Sequence, residues 1–207
     1  MSSSHYTHVL SRHYRTVTIF AAVGLLAAAI AVFSQPLRYG ASVRILIIQR
    51  STLGLDPYTA VKSAERIADN LAQIVLTDNF YLKTVKQDSS IDQARFPTDP
   101  TARRKTWRKT VRTSLVSGTG LLAVTALSED KDQAVRIAQA IADVLSVSGK
   151  EYIGGDMDVK IVDTPLPSQY PIAPNIPLGL GLGLGIGLLA GMFYVIWINE
   201  TGRVESR

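Results

Sequence analysis

The apolar residues of this chain gather into two long uncharged blocks on either side of a patterned middle. The first block, residues 17–33, is almost wholly apolar and lies in the charge-free stretch between Arg15 and Arg38. The second, residues 176–198, is apolar apart from Pro177 and its glycines, and no charge occurs between Asp163 and Glu200. A bilayer core of about 30 Å takes about 20 helical residues at about 1.5 Å each. Both blocks meet that length, and the second ends with Tyr194 and Trp197, residue types that favour the membrane–water interface. The pattern predicts a transmembrane helix over residues 16–35 and a second over 178–198. The first block also has features of a cleaved signal. Ala29-Ile30-Ala31 has the A-x-A shape, and Arg12 and Arg15 precede the run. The run is longer than a usual signal core and the triplet lies inside it, which favours an uncleaved anchor.

Between the blocks the periodicity changes. Tyr39, Ala41, Val43, Ile45 and Ile47 alternate with Gly40, Ser42, Arg44 and Leu46, which predicts a strand with one buried face. Asp56-Pro57 is a helix start, followed by Val61, Ala64, Ile67, Ala68, Leu71, Ile74 and Val75 at helical spacing. Thr77-Asp78 opens a short helix through Phe80, Leu82 and Val85; residues 87–96 read as a polar loop. Asp99-Pro100 opens a basic helix to about Thr110. Strands over 111–116 and 121–127 flank Ser117-Gly118-Thr119-Gly120, a hairpin turn. Ser128 is expected to cap a helix whose apolar face is Ala134, Ile137, Ala138, Ile141, Ala142 and Leu145. Residues 157–163 are a last strand. The predicted fold class is an α+β extracytoplasmic domain, a split βαβ or ferredoxin-like small sheet with helices on one side, flanked by two transmembrane helices.

The corresponding division is a cytoplasmic tail (1–15), the first span (16–35), the domain (36–165), a proline-rich segment (166–177), the second span (178–198) and a second tail (199–207). Arg12 and Arg15 before the first span, and Arg203 and Arg207 after the second, place both termini in the cytoplasm under the positive-inside rule. In a bacterium the domain would then lie on the outer or periplasmic face of the inner membrane.

Composition narrows the chemistry. The chain lacks cysteine, which removes disulfides, thiolate metal sites and a cysteine nucleophile. Net charge is +5, with a single short basic cluster, so nucleic acid is not an expected partner. The three histidines, His5, His8 and His13, all lie in the amino-terminal tail, leaving the domain without a histidine base or ligand. Ser128 to Lys131 matches S-x-x-K, but the serine is explained as a cap. Asp156-Met157-Asp158 matches the D-x-D of metal-dependent glycosyltransferases. No phosphate-binding G-x-x-x-x-G-K loop occurs. No base, nucleophile and stabiliser come together, so no enzyme activity, cofactor or metal is expected.

Three segments stand out as candidate functional elements. The first is the proline stretch Pro165, Pro167, Pro171, Pro174, Asn175 and Pro177, either a stiff spacer or a dedicated device. The second is a glycine ladder in the second span: Gly179, Gly183, Gly187 and Gly191 fall every four residues, one helix face suited to close packing against the first span or another copy. The third is the basic set Arg103, Arg104, Lys105, Arg108, Lys109 and Arg112 around Trp107. It is either a solvated face with Trp107 and Val111 turned inward, or a contact for anionic lipid, pyrophosphate or an acidic polymer.

With these elements in this order, the chain resembles the polysaccharide co-polymerases, or chain-length determinants, over nearly its whole length. The resemblance rests on the short basic tail, on YGASVRI at 39–45 directly after the first span, on TGLLAVTA at 119–126 followed by DQAVRIAQAIA at 132–142, and on VKIVD at 159–163 leading through the prolines to Asn175. The family's proline motif runs P-x-x-P-x-x-P, often ending in P-N. Pro171 to Asn175 matches it, whereas the step from Pro167 to Pro171 is one residue longer. The resemblance implies a non-enzymatic ring homo-oligomer. Such a ring acts with a membrane polymerase on polysaccharide or lipid-linked sugar and sets the chain length of O-antigen, capsule or exopolysaccharide. The size is closest to short members that partner a tyrosine autokinase, although residues 199–207 are a short tail for activating a kinase. Three rival readings are a kinase adaptor in capsule export, a membrane-anchored enzyme acting on envelope sugars, and a sensor binding an anionic ligand at the basic helix.

Overall fold

The computed structural model of the chain describes residues 14–49, 56–153 and 157–204. The amino-terminal histidines, Arg12, Asp156, Glu205 and Arg207 lie outside the described residues. The chain divides into two compact units, one formed by residues 1–37 with 173–207 and the other by 38–172.

The first unit is a helix pair, α1 (Tyr14–Phe33) and the helix that closes the chain (Ile176–Val204). Both are long and apolar enough to cross a membrane, the latter over Ile176–Ile198. The first helix starts and stops two residues before the expected 16–35. The closing helix starts two residues before the expected 178, because Asn175 caps it: its side-chain carbonyl accepts from the Leu178 amide at 3.3 Å. Pro177 sits in the first turn, where a missing N–H costs nothing.

The second unit is α+β. Its elements in chain order are β1 (Tyr39–Gln49), α2 (Pro57–Val75), α3 (Asp78–Gln87), a 3₁₀ turn (Gln93–Arg95), α4 (Pro100–Thr110), β2 (Val111–Val116), β3 (Leu121–Ser128), α5 (Lys131–Ile153) and β4 (Met157–Pro167). The closing helix of the first unit is then α6. The strands form one antiparallel sheet in the order β2-β3-β1-β4. The helical connection from β1 to β2 passes over β3, and the one from β3 to β4 passes over β1.

The period-two pattern of β1 decides which face is covered. Ala41, Val43, Ile45 and Ile47 are buried, as are their cross-strand partners Ala126, Val124 and Leu122. Each large side chain so buried contributes about 1.5–3 kcal/mol relative to exposure. α5 covers this face with all six residues of its expected stripe, from Ala134 to Leu145, each at most 4% exposed. Its alanines let the helix approach closely. α2 joins it through Ala64, Ala68, Leu71, Ala72 and Val75, while Val61, in its first turns, stands 44% exposed. The opposite face carries Ser42, Arg44, Arg112 and Thr125 and is open. There Ser42 Oγ and Thr125 Oγ1 meet at 2.7 Å, and Arg44 reaches Asp163 at 3.4 Å.

Several local expectations need correction. Asp56 precedes α2 as expected but its side chain makes no capping bond; Pro57 in the first turn sets the start. Thr77 and Asp99 do cap, accepting from the amides of Phe80 and Ala102. Ser128 does not cap α5. It is the last residue of β3 and accepts only from the Asp130 amide, while Asp130, next to the helix, accepts from the Asp132 amide at 3.0 Å. The strand runs on because Ser128 still pairs with Tyr39 of β1. β4 likewise extends to Pro167 rather than stopping at 163, and the compact unit that contains it runs on to Ile172.

Candidate functional site

In the helix pair the glycine ladder is consumed within the chain. A Cβ on Gly187 would stand 2.5 Å from Phe20 O and 2.9 Å from Ala21 Cα. One on Gly191 would be 3.0 Å from Val17 Cα, and one on Gly179 would be 2.5 Å from a Val32 methyl. Gly183 packs on Ala28 and Gly24. The partner glycine in α1 escaped notice in the sequence: a Cβ on Gly24 would lie 2.5 Å from Gly183 O and 2.9 Å from Gly187 Cα. It is the only glycine of its span, and that was its signal. Gly181 and Gly185 have no such neighbour within 4 Å. Small residues at the crossing let the two helix backbones come this close. The Phe20 and Tyr194 rings close the far end, centroids 5.1 Å apart.

The prolines divide among three jobs. Pro165 and Pro167 belong to β4, an edge strand. Pro167 pairs with Ala41, and buried Pro165 falls where the β1–β4 register shifts between Ser42 and Arg44. An edge or a bulge is where a strand tolerates a residue without an N–H. Half-buried Pro171 lies in a strap that returns to the start of β1. The Ser168 amide donates to Gly40 O at 2.7 Å, the Gly40 amide to Ser168 Oγ at 3.0 Å, and the Ile172 amide to Arg38 O at 2.9 Å. The Ile172 side chain lies against Gly40, where a Cβ has no room. The domain therefore begins and ends at one place. Beyond the strap the Ala173–Pro174 peptide is cis, and Asn175 and Pro177 start α6.

The basic set is split by the fold. Trp107 is fully buried and donates from Nε1 to Val75 O at 2.7 Å; its ring meets those of Tyr81 and Phe96. Val111 is buried too, as expected. Arg103 turns inward with them. Its Nε and Nη2 donate to the two carboxylate oxygens of Asp78 at 2.7 and 2.6 Å, Nη1 donates to Thr98 O, and the guanidinium lies over the Tyr81 ring. That bidentate hydrogen bond holds the Asp78 carboxyl below its ordinary pKa, and burial raises the Tyr81 hydroxyl. Arg103 is a structural clamp joining α3 to α4, not a free cation. Arg104, Lys105 and Arg108 are exposed on α4. Arg112 stands on the open face of the sheet opposite Thr125, because the helix has ended two residues before it.

Lys109 has a different place. It lines a cleft of about 370 Å³ walled by the α4 residues Thr106 and Thr110, the end of β3, the start of α5, and Arg38 just before β1. Arg95 also lines it and is paired with Asp92 at 3.1 Å and Glu129 at 3.7 Å.

No cluster of three potential metal ligands occurs among the described residues. Asp158 lies 3.6 Å from Lys150. The Lys131 amine sits over the Tyr39 ring and donates to Gln169 O, so the S-x-x-K spacing forms no dyad with Ser128. No family model matches the chain, and no curated protein matches it.

Proposed function

We propose that the chain is a non-enzymatic membrane scaffold of the polysaccharide co-polymerase kind, setting the length of a bacterial surface polysaccharide beside a membrane polymerase. In this reading α1 and α6 cross the inner membrane, both termini are cytoplasmic, and the α+β unit is the extracytoplasmic domain. The strand order corresponds to a split βαβ, or ferredoxin-like, arrangement with helices on one side. The observation that carries the reading is the closure of the domain on itself, the Ile172 amide bonded to Arg38 O, with an apolar helix a few residues beyond each end. Such a domain is tethered at both ends, which suits side-by-side assembly of copies into a ring around a polymerase better than a single anchor would.

The test is deletion of the gene in its own organism, with the surface polysaccharide resolved on a gel. A shift in the modal chain length, restored by the intact gene, is the expected result. An unchanged length distribution and amount would overturn the proposal.

A further inference from the structure

The cleft beside α4 has a composition that the scaffold reading does not use. Three cations and two acids line it, and the pairing is unequal. Both acids, Asp92 and Glu129, turn to Arg95. Arg38 and Lys109 have no carboxylate within ion-pair distance among the described residues, although they border the same cavity. Arg38 is half-buried and Lys109 is exposed. Three hydroxyl side chains also line the cavity: Thr106, half-buried, and Thr110 and Ser128, both buried. Thr106 and Thr110 donate their own protons to backbone carbonyls one turn back, and Ser128 accepts the Asp130 amide. Arg104, Lys105 and Arg108 on the same helix are exposed and do not line the cleft.

Two cations without a carboxylate partner among the described residues, with the Ser128 hydroxyl and room for a small polar group, suit a phosphate ester. A guanidinium and an ammonium together neutralise a phosphate dianion or hold a diester with charge to spare. Four residues separate Arg38 from the end of α1, a helix long and apolar enough to cross a membrane. We propose that this cleft is a binding site for the phosphoryl head of an anionic phosphate ester, held by Arg38 and Lys109. A membrane lipid headgroup and a soluble phosphate ester share that chemistry. The inference stands apart from the scaffold reading, since a chain that left polysaccharide length untouched would still carry the cleft.

The full-length protein in detergent micelles is titrated with short-chain phosphatidylglycerol, with phosphatidylcholine of the same chain length, and with glycerol 1-phosphate, following thermal unfolding and calorimetric binding. Three variants are compared with the parent. Lys109→Glu changes an exposed side chain and leaves the fold unburdened. Arg38→Gln with Lys109→Gln empties the site of its free charge. Arg104→Gln with Arg108→Gln removes equal charge from the exposed helix face. The expected result is stabilisation by phosphatidylglycerol but not phosphatidylcholine, weakened at least tenfold in both cleft variants and less than twofold in the helix-face variant. Binding of glycerol 1-phosphate with the same dependence on the cleft would mark a soluble ester as a sufficient ligand. Equal weakening in the helix-face variant would mean diffuse surface charge, and no weakening in Lys109→Glu would mean no site; either overturns the inference.

Discussion

Arg103 shows how much a single side chain's surroundings change its meaning. In the sequence it is one of six basic residues; in the fold it is the only one of them bonded bidentately to a carboxylate. Asp78 is ionised more easily in the folded chain than in the unfolded one, where it titrates near about pH 4. Its contribution to stability is therefore present above about pH 4 and is lost as the pH falls through the lowered folded value. Arg103→Gln is expected to lower the melting temperature at pH 7, and the gap to the parent should narrow as the pH is taken below about 4. Thermal unfolding followed by circular dichroism across that range checks this. Asp88, held low by its bonds from Ser90, titrates in both proteins, so the parent and the variant should each still lose stability in acid. A gap that stayed constant with pH would mean that Arg103 acts through its packing on Tyr81 instead.

At the scale of elements the α1–α6 pair separates glycines that are needed from glycines that are not. Gly187→Leu would drive a side chain into the Phe20 carbonyl, whereas Gly185→Leu would extend into open space. Overpacking a close contact costs about 1–3 kcal/mol. The Gly187 variant should melt several degrees lower in detergent, and the Gly185 variant should match the parent in the same scan. Equal effects would sink the assignment of the glycine face to α1. The proline segment was legible as stiff chain, but its division was not. Pro165 and Pro167 lie in a strand because β4 is at an edge and bulged, a property of the sheet order rather than of the prolines.

At the scale of the whole molecule, the bonds that join Ile172 to Arg38 and Ser168 to Gly40 close the α+β unit at its own ends. Among the described residues, the core cluster from Ala41 to Leu145 lies entirely within 38–172. The fragment 38–172, produced without either apolar helix, is expected to be soluble and to unfold in one cooperative transition by circular dichroism and urea titration. A fragment that aggregated or showed no cooperative transition would contradict that independence.

The sequence by itself determined the element order, the two apolar helices, the buried face of β1 and the stripe of α5. Period two, period 3.6 and long uncharged runs are local consequences of backbone geometry, and each can be read one segment at a time. What α6 packs against, which residue begins α5, where β4 stops and which basic residues are free were decided only by tertiary structure. Asp130 takes the capping role because Ser128 is still held by Tyr39 across the sheet. Arg103 is neutralised because Asp78 arrives from another helix, and Arg38 joins Lys109 although 70 residues lie between them in the chain. In each case the deciding partner is distant in sequence, and no local pattern encodes the partner's position.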